Sequence, residues 1–222
     1  GFTKAVWNFC VKNQISMINA SSAATYGAGN HGFDDKTDIG VLEPLNGYGY
    51  SKQLFDLWER QQTLRPAQYC GFKFFNVYGS MASVIFHTFN KIKETGEMGL
   101  FKSYRPDYAD GQQLRDFVYV KDICKVVKFM IEHPDVNGLF NLGTGTARSF
   151  YDLAKATFDA LGLEPNIKFV EMPETLRKKY QYYTQANMEK LRAAGYHEAF
   201  YTLEEGCKDY VTNYLAQDYK TY

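Results

Sequence analysis

Apolar residues recur along this 222-residue chain in two rhythms. Spaced three and four apart they predict helices, and in short unbroken blocks they predict strands buried on both faces. Residues 2–14, FTKAVWNFCVKNQ, place Phe2, Val6, Phe9 and Cys10 at helical spacing. ISMINA at 15–20 reads as a buried strand, and a loop rich in Ser, Thr, Gly and Asn runs on to about residue 46. YGYSKQLFDLWERQQTLR then predicts a helix that stops before Pro66, because the residue ahead of a proline disfavours helical geometry. YCGFKFFNVYG (69–79) reads as one strand ending in a turn, and a helix over 81–95 ends at Gly96. Residues 99–116 are polar and irregular. Beyond them come a strand at 116–120, a helix at 121–133, and a strand with a glycine turn at 138–145. A helix at 149–162, a strand IKFVEM, a short helix at 186–194 and an amphipathic helix at 203–216 complete the pattern.

Strands alternate with helices through the first 145 residues, which implies βα units on a parallel sheet and an α/β fold. Ligands of open α/β sheets bind beyond the carboxyl ends of the strands. Here those ends read NASSAATYG, FNVYG, VYVKD and NLGTG, and they are expected to face one crevice. The Gly143–Gly145 turn is too short for a dinucleotide fingerprint and reads as structural, as does Asn141. Leu153, Ala156, Thr157 and Ala160 form a helix-core stripe.

Charge changes the picture by exclusion. Lys plus Arg and Asp plus Glu both number 25, so the formal charge is zero and the basic surface expected of a nucleic-acid binder is missing. No apolar run has membrane-spanning length and no signal peptide is present. Cys10, Cys70, Cys124 and Cys207 form no C-x-x-C pair, sit among apolar residues, and read as reduced, buried thiols of a cytoplasmic protein. The four histidines lack the spacing of a metal site.

The candidate chemistry centres on Ser22, Tyr48 and Lys52. Tyr48 and Lys52 are four residues apart at the start of a helix, so both project from one face. A free phenol, with a pKa of about 10, is a negligible base at neutral pH, and lowering that value by about 3 takes about 4 kcal/mol. One ammonium at about 6 Å, in an effective dielectric of about 20, supplies roughly 3 kcal/mol. A nicotinamide cation would add to this. Ser22 ends a strand and could hydrogen-bond the same substrate hydroxyl. Y-x-x-x-K alone arises by chance on solvated helices; its pairing with SSAATYG about two dozen residues earlier is far more specific.

The set SSAATYG, PLNGYGYSK, FKFFNVYG, RDFVYVKD and FNLGTG resembles the extended short-chain dehydrogenase/reductase family of nucleotide-sugar enzymes. SMASVIFH and YQYYTQANMEKLRAAGY bring the whole chain close to the ADP-heptose 6-epimerase branch. The resemblance implies a Rossmann-like parallel sheet over 1–75, 117–146 and 182–200. It also implies a smaller, discontinuous α/β substrate domain over 76–116, 147–181 and 201–222. It implies NADP as cofactor, an ADP-heptose substrate inverted at C6 through a ketone for the lipopolysaccharide inner core, and a homo-oligomer. Carried over residue by residue, Tyr48 is the base, Ser22 the active-site serine and Lys52 the cofactor-ribose lysine. Asn76 and Val77 fall where the family contacts substrate and cofactor. Ser80 and His87 match substrate-binding positions. Phe101, Lys102, Ser103 and Tyr104 match the adenosine loop, Arg115 a diphosphate-binding arginine and Tyr180 a substrate-contacting tyrosine. A guanidinium can bind phosphate oxygens bidentately, though an ion pair with Asp116 or a nearby carboxylate would also explain Arg115. His87 reads equally well as a helix histidine without a ligand.

Two departures stand against the resemblance. No G-x-x-G-x-x-G follows an N-terminal strand, so the βαβ units that cradle the pyrophosphate, and the position choosing NAD or NADP, are absent from this sequence. FNVYG also runs directly into SMASV, where the family carries a loop whose Lys is the second base. The chain opens at Gly1 inside a helical pattern. The expectation is therefore that N-terminal residues, and a loop between Gly79 and Ser80, belong to a longer protein. The competing readings are another nucleotide-sugar 4-epimerase and a truncated, non-catalytic sugar-nucleotide-binding protein. A 4,6-dehydratase is disfavoured because SSAATYG lacks an Asp-Glu pair.

Overall fold

The computed structural model describes residues 1–177 and 180–219. In chain order the elements are α1 (Phe2–Asn13), β1 (Met17–Ser22), α2 (Gly47–Arg60), β2 (Tyr69–Phe74), β3 (Asn76–Tyr78), α3 (Val84–Thr95), β4 (Met98–Phe101), β5 (Leu114–Tyr119) and α4 (Val120–Glu132). These are followed by β6 (Gly138–Leu142), β7 (Ala147–Ser149), α5 (Phe150–Leu161), β8 (Ile167–Val170), α6 (Glu174–Arg177), α7 (Glu189–Ala193) and α8 (Leu203–Tyr210). The alternation gives the α/β class that the sequence implies. Two compact units are formed, Gly1–Phe75 with Ile123–Gly145 and Ala186–Glu198, and Asn76–Asp122 with Thr146–Gln185 and Ala199–Tyr222.

In the first unit β1, β2 and β6 form a parallel sheet with β2 central. β1 is displaced two residues from its expected place. Gln14 closes α1 in a left-handed conformation and the Ile15 N–H bonds back to Cys10 O, so the ladder begins only at Met17. At the other end Ser21 and Ser22, which read as loop, pair with Lys73 and Phe74. A small apolar core gathers Trp7, Cys10, Met17, Phe55 and Tyr69, with the Trp7 and Tyr69 rings 5.0 Å apart. α2 ends at Arg60, short of the expected limit. The Gln62 side chain takes the Trp58 carbonyl that its own backbone N–H would use in a continued helix.

In the second unit β3 and β5 are parallel, β5 and β7 antiparallel, and β4 pairs with β8. YCGFKFFNVYG is therefore two strands, because after Phe75 the chain leaves β2 and Asn76–Tyr78 pairs with Phe117–Tyr119. The irregular reading of 99–116 is also corrected, since Met98–Phe101 and Leu114–Tyr119 are both strands. Tyr78 and Tyr119, register partners, stack at 5.1 Å inside a core that includes Ile85, Phe89, Leu153, Cys207 and Leu215. α8 comes so close that a Cβ on Gly206 would lie 2.0 Å from the Tyr78 hydroxyl. The last helix relaxes after Tyr210 into a π turn over Val211–Leu215.

Candidate active site

In the first unit, the end of β1 and the start of α2 hold the three residues singled out for chemistry. Ser22 caps a 3-10 turn over Ala23–Tyr26, its Oγ accepting from the Ala24 N–H at 3.1 Å. That leaves the hydroxyl proton free to donate. Asn46 caps α2 by accepting from Gly49 N. Gly49 allows α2 to lie against the turn, since a Cβ there would meet Ala24 O at 2.7 Å and the Pro44 Cβ at 2.8 Å. Tyr48 is 57% exposed, and its hydroxyl has no hydrogen-bond partner among the described residues. The Lys52 ammonium lies 5.6 Å from the Tyr48 ring centroid and donates to Ala20 O at 2.8 Å. Two of its three donors remain for a ligand. It lines a pocket of about 200 Å³ with Asn19, Ala20 and Asp56. An exposed phenol beside an ammonium with spare donors is a donor set that suits a ribose diol and a reacting hydroxyl.

Behind this edge lies a buried polar cluster. Asp56 is 1% exposed and Lys73 is 1% exposed, and they pair at 3.6 Å. Ser21 donates to Asp56 at 2.6 Å, and the Lys73 ammonium donates to Thr25 Oγ1 at 2.6 Å. Burial pushes the Asp56 carboxyl up and the Lys73 ammonium down from their ordinary values. Further along, Tyr26 donates to Asn141 Oδ1, and Asn141 holds Phe33 O, Asn187 O and Asp35. Nothing in the sequence marks Lys73 as a buried cation. Asp56 was foreshadowed only by falling four residues after Lys52.

In the second unit, Asn76 and Val77 lie on β3, both exposed, beside Phe117 and Val118. Ser80 is exposed, and its carbonyl accepts from Ser83 N at the start of α3. His87 is exposed on α3, its ring 5.6 Å from Phe86. The structure brings Phe101, Arg115 and Tyr180 together: Tyr180 lies 6.1 Å from Phe101 ring to ring, and the Arg115 guanidinium is 5.3 Å from the Tyr180 ring and 5.5 Å from Phe150. Arg115 is only 7% exposed. Its donors reach the carbonyls of Leu114 and Gln181, and no carboxylate pairs with it among the described residues. The Asp116 ion pair that the sequence left open is not formed. Burial holds the guanidinium below its ordinary value.

Lys102 and Tyr104 are both engaged with Glu171, the ammonium at 2.8 Å, and Arg177 lies 3.8 Å over the Tyr104 ring. Ser103 donates its N–H to Asp110 and its hydroxyl to Arg105 O. Sequence reasoning missed Glu171, Tyr108 and Tyr182: the β4–β8 pairing brings Glu171 to Lys102 and Tyr104, and Tyr182 lies beside Tyr108 and accepts from Tyr104 N. One expectation is corrected: Cys124 is exposed, because α4 buries the stripe Asp122, Val126 and Met130 on its other face.

A tyrosine and a lysine one helical turn apart, placed over the carboxyl end of a parallel sheet, define a class of nucleotide-dependent enzymes. The model of the NAD dependent epimerase/dehydratase family matches residues 1–143, and the chain belongs to that family. Within it, the chain is 49% identical over 234 positions to ADP-L-glycero-D-manno-heptose-6-epimerase of Fusobacterium nucleatum, covering 98% of this chain and 70% of the relative. That alignment is longer than the 222-residue chain, so the relative carries residues with no counterpart here. Helicobacter pylori ADP-L-glycero-D-manno-heptose-6-epimerase superposes with a TM-score of 0.72 at 26% identity, over 93% of this chain and 62% of that one. UDP-N-acetylglucosamine 4-epimerase from Methanobrevibacter ruminantium M1 shares the fold, with a TM-score of 0.76 at 22% identity over 94% of this chain and 66% of that one. The chain thus spans about two thirds of the length of these solved structures. Among the described residues, no helix is long and apolar enough to cross a membrane.

Proposed function

We propose that this chain is the greater part of an NADP-dependent ADP-heptose 6-epimerase, a homo-oligomeric isomerase of the cytoplasm that supplies heptose for the lipopolysaccharide inner core. The observation that carries the reading is the pairing of an exposed Tyr48, its hydroxyl without a hydrogen-bond partner among the described residues, with Lys52, in a chain 49% identical to a protein named for that activity. A nicotinamide dinucleotide bound here would supply the acceptor and donor of hydride. Tyr48 takes the proton of the C6 hydroxyl as that carbon becomes a ketone, and Ser22 donates a hydrogen bond to the same oxygen. Lys52 binds the ribose hydroxyls and its charge favours the phenolate. Val77 would help to hold the cofactor.

The second unit recognises the nucleotide sugar. Arg115 binds the diphosphate, with charge-assisted hydrogen bonds replacing neutral ones. Phe101, Lys102, Ser103 and Tyr104 receive the adenosine, while Tyr180, Asn76, Ser80 and His87 contact the remainder. Inversion needs a proton donor on each face of the ketone, and residues 79–80 supply no lysine for the second. The residues that the relatives carry in excess are where a second base belongs.

The test uses the full-length protein with NADP and ADP-glycero-manno-heptose, following C6 inversion by NMR. Turnover is expected in the wild type. In Tyr48→Phe a fall of about 10³-fold is expected, within the range of general-base catalysis, with ADP-sugar binding retained. Retained turnover in Tyr48→Phe would remove Tyr48 from its role. Binding without turnover in the wild type would favour the non-catalytic reading.

A further inference from the structure

Tyr48, Lys52 and Asp56 succeed one another at four-residue intervals on α2 and so form one stripe along the helix. The stripe is fixed to β1 at consecutive residues, Lys52 on Ala20 O and Asp56 on the Ser21 hydroxyl. Ser22, the next residue, ends the strand. Ser21 and Lys73 are register partners on adjacent strands, so both present to the face that carries Asp56. From Lys73 the chain of contacts continues to Thr25 Oγ1, which donates to Ser22 O at 2.8 Å. The cluster therefore joins the helix bearing the phenol to both sides of the serine.

We propose that Asp56 is a positioning residue, which with Ser21 and Lys73 sets the axial placement of α2 against β1 and thereby holds Tyr48 and Lys52 in register with Ser22. This rests on the reading of Tyr48 as the base. Stability does not explain the cluster. A buried ion pair commonly contributes less than an apolar replacement of similar volume. Asp56 Oδ1 has no hydrogen-bond partner among the described residues, so the carboxylate is not even fully satisfied. The desolvation that pushes the Asp56 and Lys73 protonation equilibria toward neutrality acts in the same sense. What the pair provides is direction. Apolar side chains would tolerate a helix sliding by a fraction of a turn, whereas the bonds to Ser21 and Thr25 would not.

Three full-length variants test this by steady-state kinetics and thermal unfolding. In Ser21→Ala/Asp56→Leu/Lys73→Met, Tm is expected at or above the wild-type value. Its kcat is expected to fall about tenfold to a hundredfold with KM and ADP affinity unchanged, the scale of a displacement near 1 Å. Wild-type kcat in this stable variant would overturn the proposal. Should the triple variant not fold, Ser21→Ala decides: a severalfold lower kcat at unchanged KM, measured below its Tm, supports the proposal, and an unchanged kcat overturns it. Tyr48→Phe is measured beside them. Activity in that variant strikes the base assignment, whereas an inactive Tyr48→Phe with a fully active triple variant strikes the positioning role alone.

Discussion

Among the described residues each unit buries one basic side chain, and the two are treated in opposite ways. Lys73 in the first unit is 1% exposed and is answered within the protein by Asp56 and Thr25. Arg115 in the second unit is 7% exposed and is answered by two backbone carbonyls and two aromatic rings, with no carboxylate among the described residues. Removing a charge from water costs several kcal/mol, and neutral acceptors recover only part of that. A buried cation with its acid beside it is neutralised within the protein. A buried cation without one still has charge that an anion could answer. The same physical quantity, burial of positive charge, is thus answered by an acid in one unit and only by neutral groups in the other, which is what the proposed diphosphate-binding role of Arg115 requires.

The sharpest way to break this contrast is to neutralise each cation alone. Lys73→Met leaves Asp56 buried without its partner, and a loss of about 3–5 kcal/mol in denaturant unfolding is expected. Arg115→Met leaves no orphan carboxylate, so ligand-free stability is expected to stay level or rise. ADP affinity is then expected to fall roughly ten- to a hundredfold, the value of hydrogen bonds to a charged group. Equal destabilisation by both substitutions would erase the distinction.

Smaller effects sharpen the picture of the two interiors. Burial raises the Cys70 thiol to about 11 and the Cys207 thiol to about 12, from 9.0 in each case. A folded value above the unfolded one gives stability that is complete below about pH 9 and is lost as pH rises toward the folded value. Each thiol accounts for about 1.4 kcal/mol per pH unit across its window. Cys70→Ala/Cys207→Ala is expected to show a shallower alkaline decline in urea midpoint between pH 9 and 10.5; an unchanged slope would contradict the assignment. Last, iodoacetamide at pH 8 is expected to modify Cys124 in the native protein, with Cys10, Cys70 and Cys207 reacting only on unfolding, as peptide mass mapping would show.

The α/β alternation was legible because buried parallel strands and amphipathic helices leave separate rhythms, and the Tyr48–Lys52 pair was legible because helical spacing fixes which side chains share a face. The break at Phe75 was not, since six further apolar or aromatic positions carry the strand signal straight across it. Whether a strand changes sheets depends on partners far away in sequence, here Leu142 for Phe75 and Phe117 for Asn76. β4 escaped notice for a similar reason, because its pairing with β8 lies almost seventy residues on. Among site residues, Arg115 was singled out by the resemblance of RDFVYVKD to its family, with a residue type that suits phosphate. That it lacks an acid, and that Lys73 has one, is a tertiary fact that follows from which strands are neighbours.

The measurement that bears most directly on the contrast is a calorimetric titration of ADP into the full-length wild-type protein and its Arg115→Met variant at equal ionic strength. The account predicts saturable binding to the wild type, weakened at least tenfold in the variant, with the variant no less stable when ligand-free. Equal affinity in the two proteins would show that the buried guanidinium does not receive the diphosphate and would contradict the account.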